Sequence, residues 1–179
     1  MTSEPQPERG SALAGIVEDL FVTESFLIKG RIAHKYQRLT NMLEDAERTF
    51  LAIEEATMVA LRGTQVIRAP RVLVNRSEVI FAHELVDTAS DGGMKRLAHT
   101  EKPTRIRAFY NGAVQLELAG QIQPGAYEPA HNSGRWYFIM ESPVLRGLEL
   151  DGNPELDVLK TLDYVIVRKS KLAYIYDFS

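Results

Sequence analysis

The side chains able to do chemistry in this 179-residue chain are four histidines, adjacent carboxylates such as Glu44-Asp45 and Glu54-Glu55, and three clusters of basic residues. His34, His83, His99 and His131 stand far apart, and none forms the His-x-x-x-His spacing that puts two ligands on one element. The pattern predicts no metal site and no cofactor. Acid-base catalysis needs two carboxyls driven to different pKa values by burial. Neighbours on a strand point to opposite faces, and a polar loop keeps its acids in water, so Glu54-Glu55 and Glu44-Asp45 read as solvated surface. No Gly-x-Ser-x-Gly elbow, phosphate-cradling Gly-rich loop with Lys, or dinucleotide fingerprint occurs. The expectation is a protein that is not an enzyme and has no catalytic residue.

The basic residues gather at Arg62, Arg68, Arg71 and Arg76, at Lys95, Arg96, Lys102, Arg105 and Arg107, and at Arg168, Lys169 and Lys171. If Arg76, Arg168, Lys169 and Lys171 share one rim, they could meet phosphates while Trp136, Tyr174 and Tyr176 stack on bases. These seven residues form the candidate binding surface, and RNA or another single-stranded nucleic acid is its alternative ligand. Against that stand the net charge of -3, Glu78 among the basic residues, and the use of charged turns to keep edge strands from aggregating.

A 45% hydrophobic and 25% charged composition supports an ordinary packed core. The chain contains no cysteine, which removes disulfides, thiolate metal sites and cysteine nucleophiles, and a reducing cytoplasm is the expected compartment. Residues 1–10 are polar, with no secretory pattern, and nowhere does an apolar run reach the roughly 20 residues of a membrane helix. No membrane association is expected.

The elements that must position these residues are mostly strands. After a flexible tail over 1–10, Leu13, Ile16, Val17 and Leu20 share one face at helical spacing, with Ser11 as cap, predicting a short N-terminal helix over 11–21. Alternation around Phe26, Ile28 and Ile32 predicts a strand, residues 38–49 a loop with a helical turn, and Phe50-Leu51-Ala52-Ile53 a second strand. Short strands follow at 66–67, 72–74 and 79–81. The turn-rich stretch 87–103 reads as a linker. Two alternating runs then flank Asn111-Gly112, the signature of a type I′ hairpin. Strands at 136–140, 164–167 and 172–176 complete the chain.

Three blocks recur in the same order. Phe26-Leu27-Ile28-Lys29-Gly30-Arg31-Ile32 matches Leu116-Glu117-Leu118-Ala119-Gly120-Gln121-Ile122; Arg48 through Glu54 matches Arg135 through Glu141; and Val72 through Leu85 matches Val165 through Phe178. Gly30 with Gly120, Glu54 with Glu141, and Arg76-Ser77 with Lys169-Ser170 do not follow from alternation alone, so the blocks predict an internal duplication. The copies span 24–85 and 105–178.

The order strand, Asn-Gly turn, strand with a glycine at its bend, central strand and final pair joined by a basic turn resembles the Sm-like small β-barrel superfamily. The resemblance is one of fold. The superfamily's RNA-binding pattern is replaced here by His131-Asn132-Ser133-Gly134 and Arg168-Lys169-Ser170, so that activity is not implied. The duplicated layout also looks like bacterial proteins of unknown function built from such units.

The expected fold is all-β: two tandem small SH3/Sm-like β-barrel units with a short N-terminal helix. The tail covers 1–10, the helix and first unit 11–86, the linker 87–103 and the second unit 104–179. The expected role is a non-enzymatic interaction, scaffold or regulatory protein that binds a protein partner or itself as a homo-oligomer. Nucleic-acid binding through the basic turns is the first alternative, and a small-molecule sensor using the cleft between the repeats is the second.

Overall fold

A computed structural model describes residues 18–86, 102–128 and 134–178. Its strands are β1 (Asp19–Val22), β2 (Phe26–Ile32), β3 (Phe50–Ala60), β4 (Val66–Asn75) and β5 (Phe81–Glu84), then β6 (Thr104–Asn111), β7 (Gln115–Ile122), β8 (Tyr137–Arg146), β9 (Tyr164–Arg168) and β10 (Tyr174–Asp177). One short helix, α1 (Leu39–Glu44), turns Leu39, Met42 and Leu43 inward between β2 and β3. Three 3₁₀ turns follow β4, precede β9 and follow β9. No described helix is long and apolar enough to cross a membrane.

The protein is mainly β, as its alternation predicts. The hydrogen bonds do not form two closed barrels, however. They make one open antiparallel sheet in the order β10-β6-β7-β8-β9-β5-β1-β2-β3-β4. Read in chain order, each half places its fifth strand beside its first, followed by the second, third and fourth. The halves meet where β5 pairs with β9.

The described end of the predicted N-terminal helix is a strand. β1 lies between β2 and β5 and is buried throughout, with Leu20 and Val22 in one core and Phe21 in the other. A central strand covered on both faces needs no polar alternation, so its apolar residues fit a helical period equally well. The rest of that helix, the tail over 1–10 and residues 87–101 of the predicted linker over 87–103 lie outside the described residues.

The strands predicted at 66–67 and 72–74 are one continuous β4, despite Pro70. Proline is tolerated there because β4 ends the sheet and Pro70 needs no outward amide partner. The Asn111-Gly112 hairpin forms, but Asn111 pairs with Gln115 across three residues, and neither Asn111 nor Gly112 takes the positive φ of a type I′ turn. Val114 is buried at that loop, and Ala113 N donates to Glu24 Oε1 at 2.5 Å. Packing against the first half thus shapes the loop more than its Asn-Gly pair does.

Two cores lie against the sheet. One joins Leu20, Val22, Leu27 and Val59 of the first half to Ile106, Leu118, Met140, Val165 and Val167 of the second. The other is built from Phe21, Ile28, Leu43, Leu51, Ile53 and Val74, with Tyr137 and Ile166 entering from the second half.

The two glycines aligned in the sequence, Gly30 and Gly120, sit at matching irregularities. The β2·β3 register shifts between Lys29 and Arg31, and the β7·β8 register shifts between Ala119 and Gln121. A Cβ on Gly30 would stand 2.7 Å from Glu54 O, and one on Gly120 would stand 2.7 Å from Glu141 O. The residues after those glutamates, Glu55 and Ser142, both adopt left-handed backbone, with φ of 51° and 48°. Each half carries the same bulge, built from a glycine, a glutamate carbonyl and a left-handed residue.

Candidate functional site

The joint between the halves is short. Phe81 stands opposite Val167 and Ala82 opposite Ile166, and Arg168 N donates to Ile80 O at 3.0 Å. Around this ladder the structure brings together five of the seven candidate residues: Arg76, Trp136, Arg168, Lys169 and Lys171.

Two of them point inward. Arg76, buried in the turn after β4, donates through Nη1 to Leu43 O at 3.0 Å and Asp45 O at 2.6 Å, satisfying carbonyls at the end of α1. Arg168, buried at the end of β9, donates through Nη1 to Arg76 O at 3.0 Å and to Tyr137 Oη at 2.9 Å. Its Nε reaches Ser170 Oγ at 2.8 Å. The two guanidinium carbons lie 5.0 Å and 5.4 Å from the half-exposed Trp136 ring, a cation-π arrangement. Glu44 completes the brace by accepting from Trp136 N and Tyr137 N at 3.0 Å each. Burial raises the Tyr137 hydroxyl above its ordinary pKa, against the opposing pull of Arg168.

The lysines stand further out. Lys171 Nζ pairs with Glu78 across the joint at 3.1 Å, holding that carboxyl below its ordinary value. Burial lowers the Lys169 ammonium, which faces Glu128 O at 3.4 Å. Tyr174 and Tyr176 do not join this group. They lie exposed on β10, at the far end of the sheet, where among the described residues only β6 pairs with them.

No protein-family model, curated protein or solved structure matches the chain.

Sequence reasoning missed a second cluster. Asp19 and Glu84 stand side by side on β1 and β5, and Lys35, from the loop after β2, reaches Asp19 Oδ1 at 2.7 Å and Glu84 Oε1 at 2.5 Å. All three side chains are almost wholly buried. Desolvation raises the Asp19 carboxyl, with Glu84 adding to it and Lys35 opposing it, and Asp19 Oδ2 has no hydrogen-bond partner. The Lys35 ammonium is also raised: burial opposes that direction, and its bonds to the two carboxylates outweigh the burial. A lysine held charged in this way is a poor nucleophile. Beside the cluster, His83 Nδ1 lies 2.9 Å from Tyr164 O and its ring packs on Tyr164, and burial keeps the imidazole neutral by lowering its pKa. Among the described residues no three His, Asp or Glu side chains are placed to hold a metal ion.

A groove of about 290 Å³ lies on the second half, lined by Phe109, Tyr110, Leu116, Glu117 and Tyr174. It opens beside β10 rather than between the halves. The three most exposed large apolar side chains lie on the two end strands, Leu73 on β4 and Tyr174 and Tyr176 on β10, and Tyr36 before α1, Phe50 on β3, Val144 on β8 and Phe178 after β10 come next. Among the described residues, β4 and β10 each leave one strand edge unpaired.

Proposed function

We propose that this chain is a non-enzymatic scaffold made of two copies of one small SH3/Sm-like barrel unit, which binds protein partners through the edges of its sheet. The observation that carries this reading is the β5·β9 pairing, because one half already holds the other by laying strand against strand. The unit's edge is thus its binding device, and β4 and β10 are two further edges of the same kind. The shared strand order and the matched bulges at Gly30 and Gly120 support descent of both halves from one duplicated unit.

The basic turns lend nucleic-acid binding less support. Arg76 and Arg168 turn inward onto carbonyls and Tyr137, and Lys171 meets Glu78, so few of those charges are left to meet phosphates.

Photo-crosslinking side chains placed at Leu73 and at Tyr174, with exposed Asp151 as control, test the proposal in cells. Protein adducts are expected from both edge positions and not from the control. Adducts from neither edge would overturn the reading.

A further inference from the structure

We infer that the partner of these open edges is a second copy of this chain, joined head to tail, with β10 of one molecule pairing with β4 of the next as β5 pairs with β9 within the molecule. This rests on the edge-pairing function proposed above and names its partner.

Strand pairing shows which residues are equivalent in the two halves. β1 meets β2 with Asp19 opposite Gly30, and β6 meets β7 with Ile106 opposite Gly120. On the other side, Val22 of β1 faces Phe81, as Phe109 of β6 faces Tyr174. Tyr174 is therefore the second half's Phe81. By the same comparison Leu51 faces Val74 as Phe138 faces Val167, which makes Leu73 the first half's Ile166.

Within the chain the joint works by reciprocal insertion. Phe81 enters the core that contains Val165 and Val167, and Ile166 enters the core that contains Phe21 and Ala82. Both are fully withdrawn from water, at 0% and 1% exposure. Their equivalents are not: Tyr174 is 65% exposed and Leu73 is 60% exposed. The same holds around them. Tyr137 and His83 are buried at the joint, whereas Phe50 and Tyr176, which replace them, are exposed. Large apolar side chains thus lie in water at the places that a second joint would cover. A protein that left them bare would carry an aggregation hazard at both ends of its sheet.

The ends are complementary and not self-complementary. One presents the fifth strand of a unit and the other presents the fourth, so the contact is heterologous and propagates into a ring or a filament. Repeating the internal register places Tyr174 opposite Val74 and Ile175 opposite Leu73. Pro70 lies outside that short ladder and limits pairing to the end of β4 that the joint needs. The second joint is the weaker of the two. Asn75 and Phe50 stand where Arg168 and Tyr137 brace the first, so the polar network that locks β5 to β9 has no counterpart, and assembly is reversible with concentration.

Light scattering on the purified full chain tests this, using Leu73→Lys and Tyr174→Lys, both at exposed positions, with unchanged circular dichroism as the check on folding. The wild-type chain is expected to exceed the mass of a monomer, as a discrete multiple or as a mass that grows with concentration. Each variant alone is expected to be monomeric. Mixed together they retain one intact β10 edge and one intact β4 edge, and they should form a dimer and nothing larger. A wild-type chain that stays monomeric at high concentration overturns the inference. So does a variant that still dimerises alone, since that marks a symmetric contact. Edge adducts in cells from a chain that is monomeric when pure would leave the edge-binding function standing and show that its partner is foreign. Failure of both experiments removes both.

Discussion

Asp19 and Ile106 occupy the same place in the two halves, each directly opposite the bulge glycine on the neighbouring strand, yet one is a carboxylate and the other a core isoleucine. The second half spends that position on packing. The first spends it on a buried ion cluster with Lys35 and Glu84. Two halves with matching strand registers thus carry opposite chemistry at one point, and the difference has measurable consequences.

The first concerns pH. Burial raises the Asp19 carboxyl, so the folded state holds that proton more tightly than the unfolded state does. Stability from this group is full below its ordinary value of 3.8 and is lost as pH rises through its raised folded value. Asp19→Asn, which mimics the protonated form, should raise the melting temperature at pH 7, and the gain should shrink as pH falls toward that window. Thermal denaturation of both proteins from pH 7 to pH 4 reads the difference.

Removing the cation should do the reverse. Lys35→Ala leaves two neighbouring carboxylates buried without a counter-charge, a change that costs about 3–5 kcal/mol. Urea denaturation should show a large drop in midpoint with an unchanged slope.

The bulges offer a gain and a loss. Glu55→Gly and Ser142→Gly relieve left-handed backbone at non-glycine residues and should each stabilise by about 0.5–1 kcal/mol, net of the chain entropy that glycine adds. Gly30→Ala and Gly120→Ala push a methyl against a carbonyl and should each cost about 1–3 kcal/mol. Denaturation midpoints of the four variants check both signs, and the matched positions should behave alike.

At the joint, the inward arginine should matter and the outward lysine should not. Arg168→Gln loses charge-assisted bonds to Arg76 O and Tyr137 Oη and should cost roughly 2–3 kcal/mol. Lys171→Ala breaks an exposed pair and should cost under about 0.5 kcal/mol. Trp136 is the only tryptophan of the chain, so its emission reports the joint directly and should shift to the red in the first variant alone.

Gly30 and Gly120 align in the sequence itself, because a bulge needs a glycine wherever a carbonyl crowds the strand, and that need is written in one residue type. Glu54 and Glu141 were legible for a different reason than the one they serve, since their carbonyls and not their carboxylates make the contact. β1 was not legible, because four residues buried on both faces carry no alternation. Asp19, Lys35 and Glu84 are brought together only by strand pairing and a loop, and no spacing announces them. The candidate surface was half legible. Charge marked Arg76 and Arg168, but which way a guanidinium turns depends on carbonyls contributed by α1 and on Tyr137, which are remote in the chain. Tyr174 and Tyr176 were singled out for stacking, and what their surroundings add is that they edge a sheet.

The β5·β9 joint also orders the events of folding. The ladders β1·β2, β2·β3, β3·β4, β6·β7 and β7·β8 close over short stretches of chain, whereas Phe81 and Val167 must find each other across nearly half of its length. Local hairpins pay little loop entropy and form early, and a contact between distant segments waits for them. Refolding should therefore proceed in two kinetic steps. Far-ultraviolet circular dichroism should recover as the hairpins form, and the Trp136 signal should lag until the halves dock.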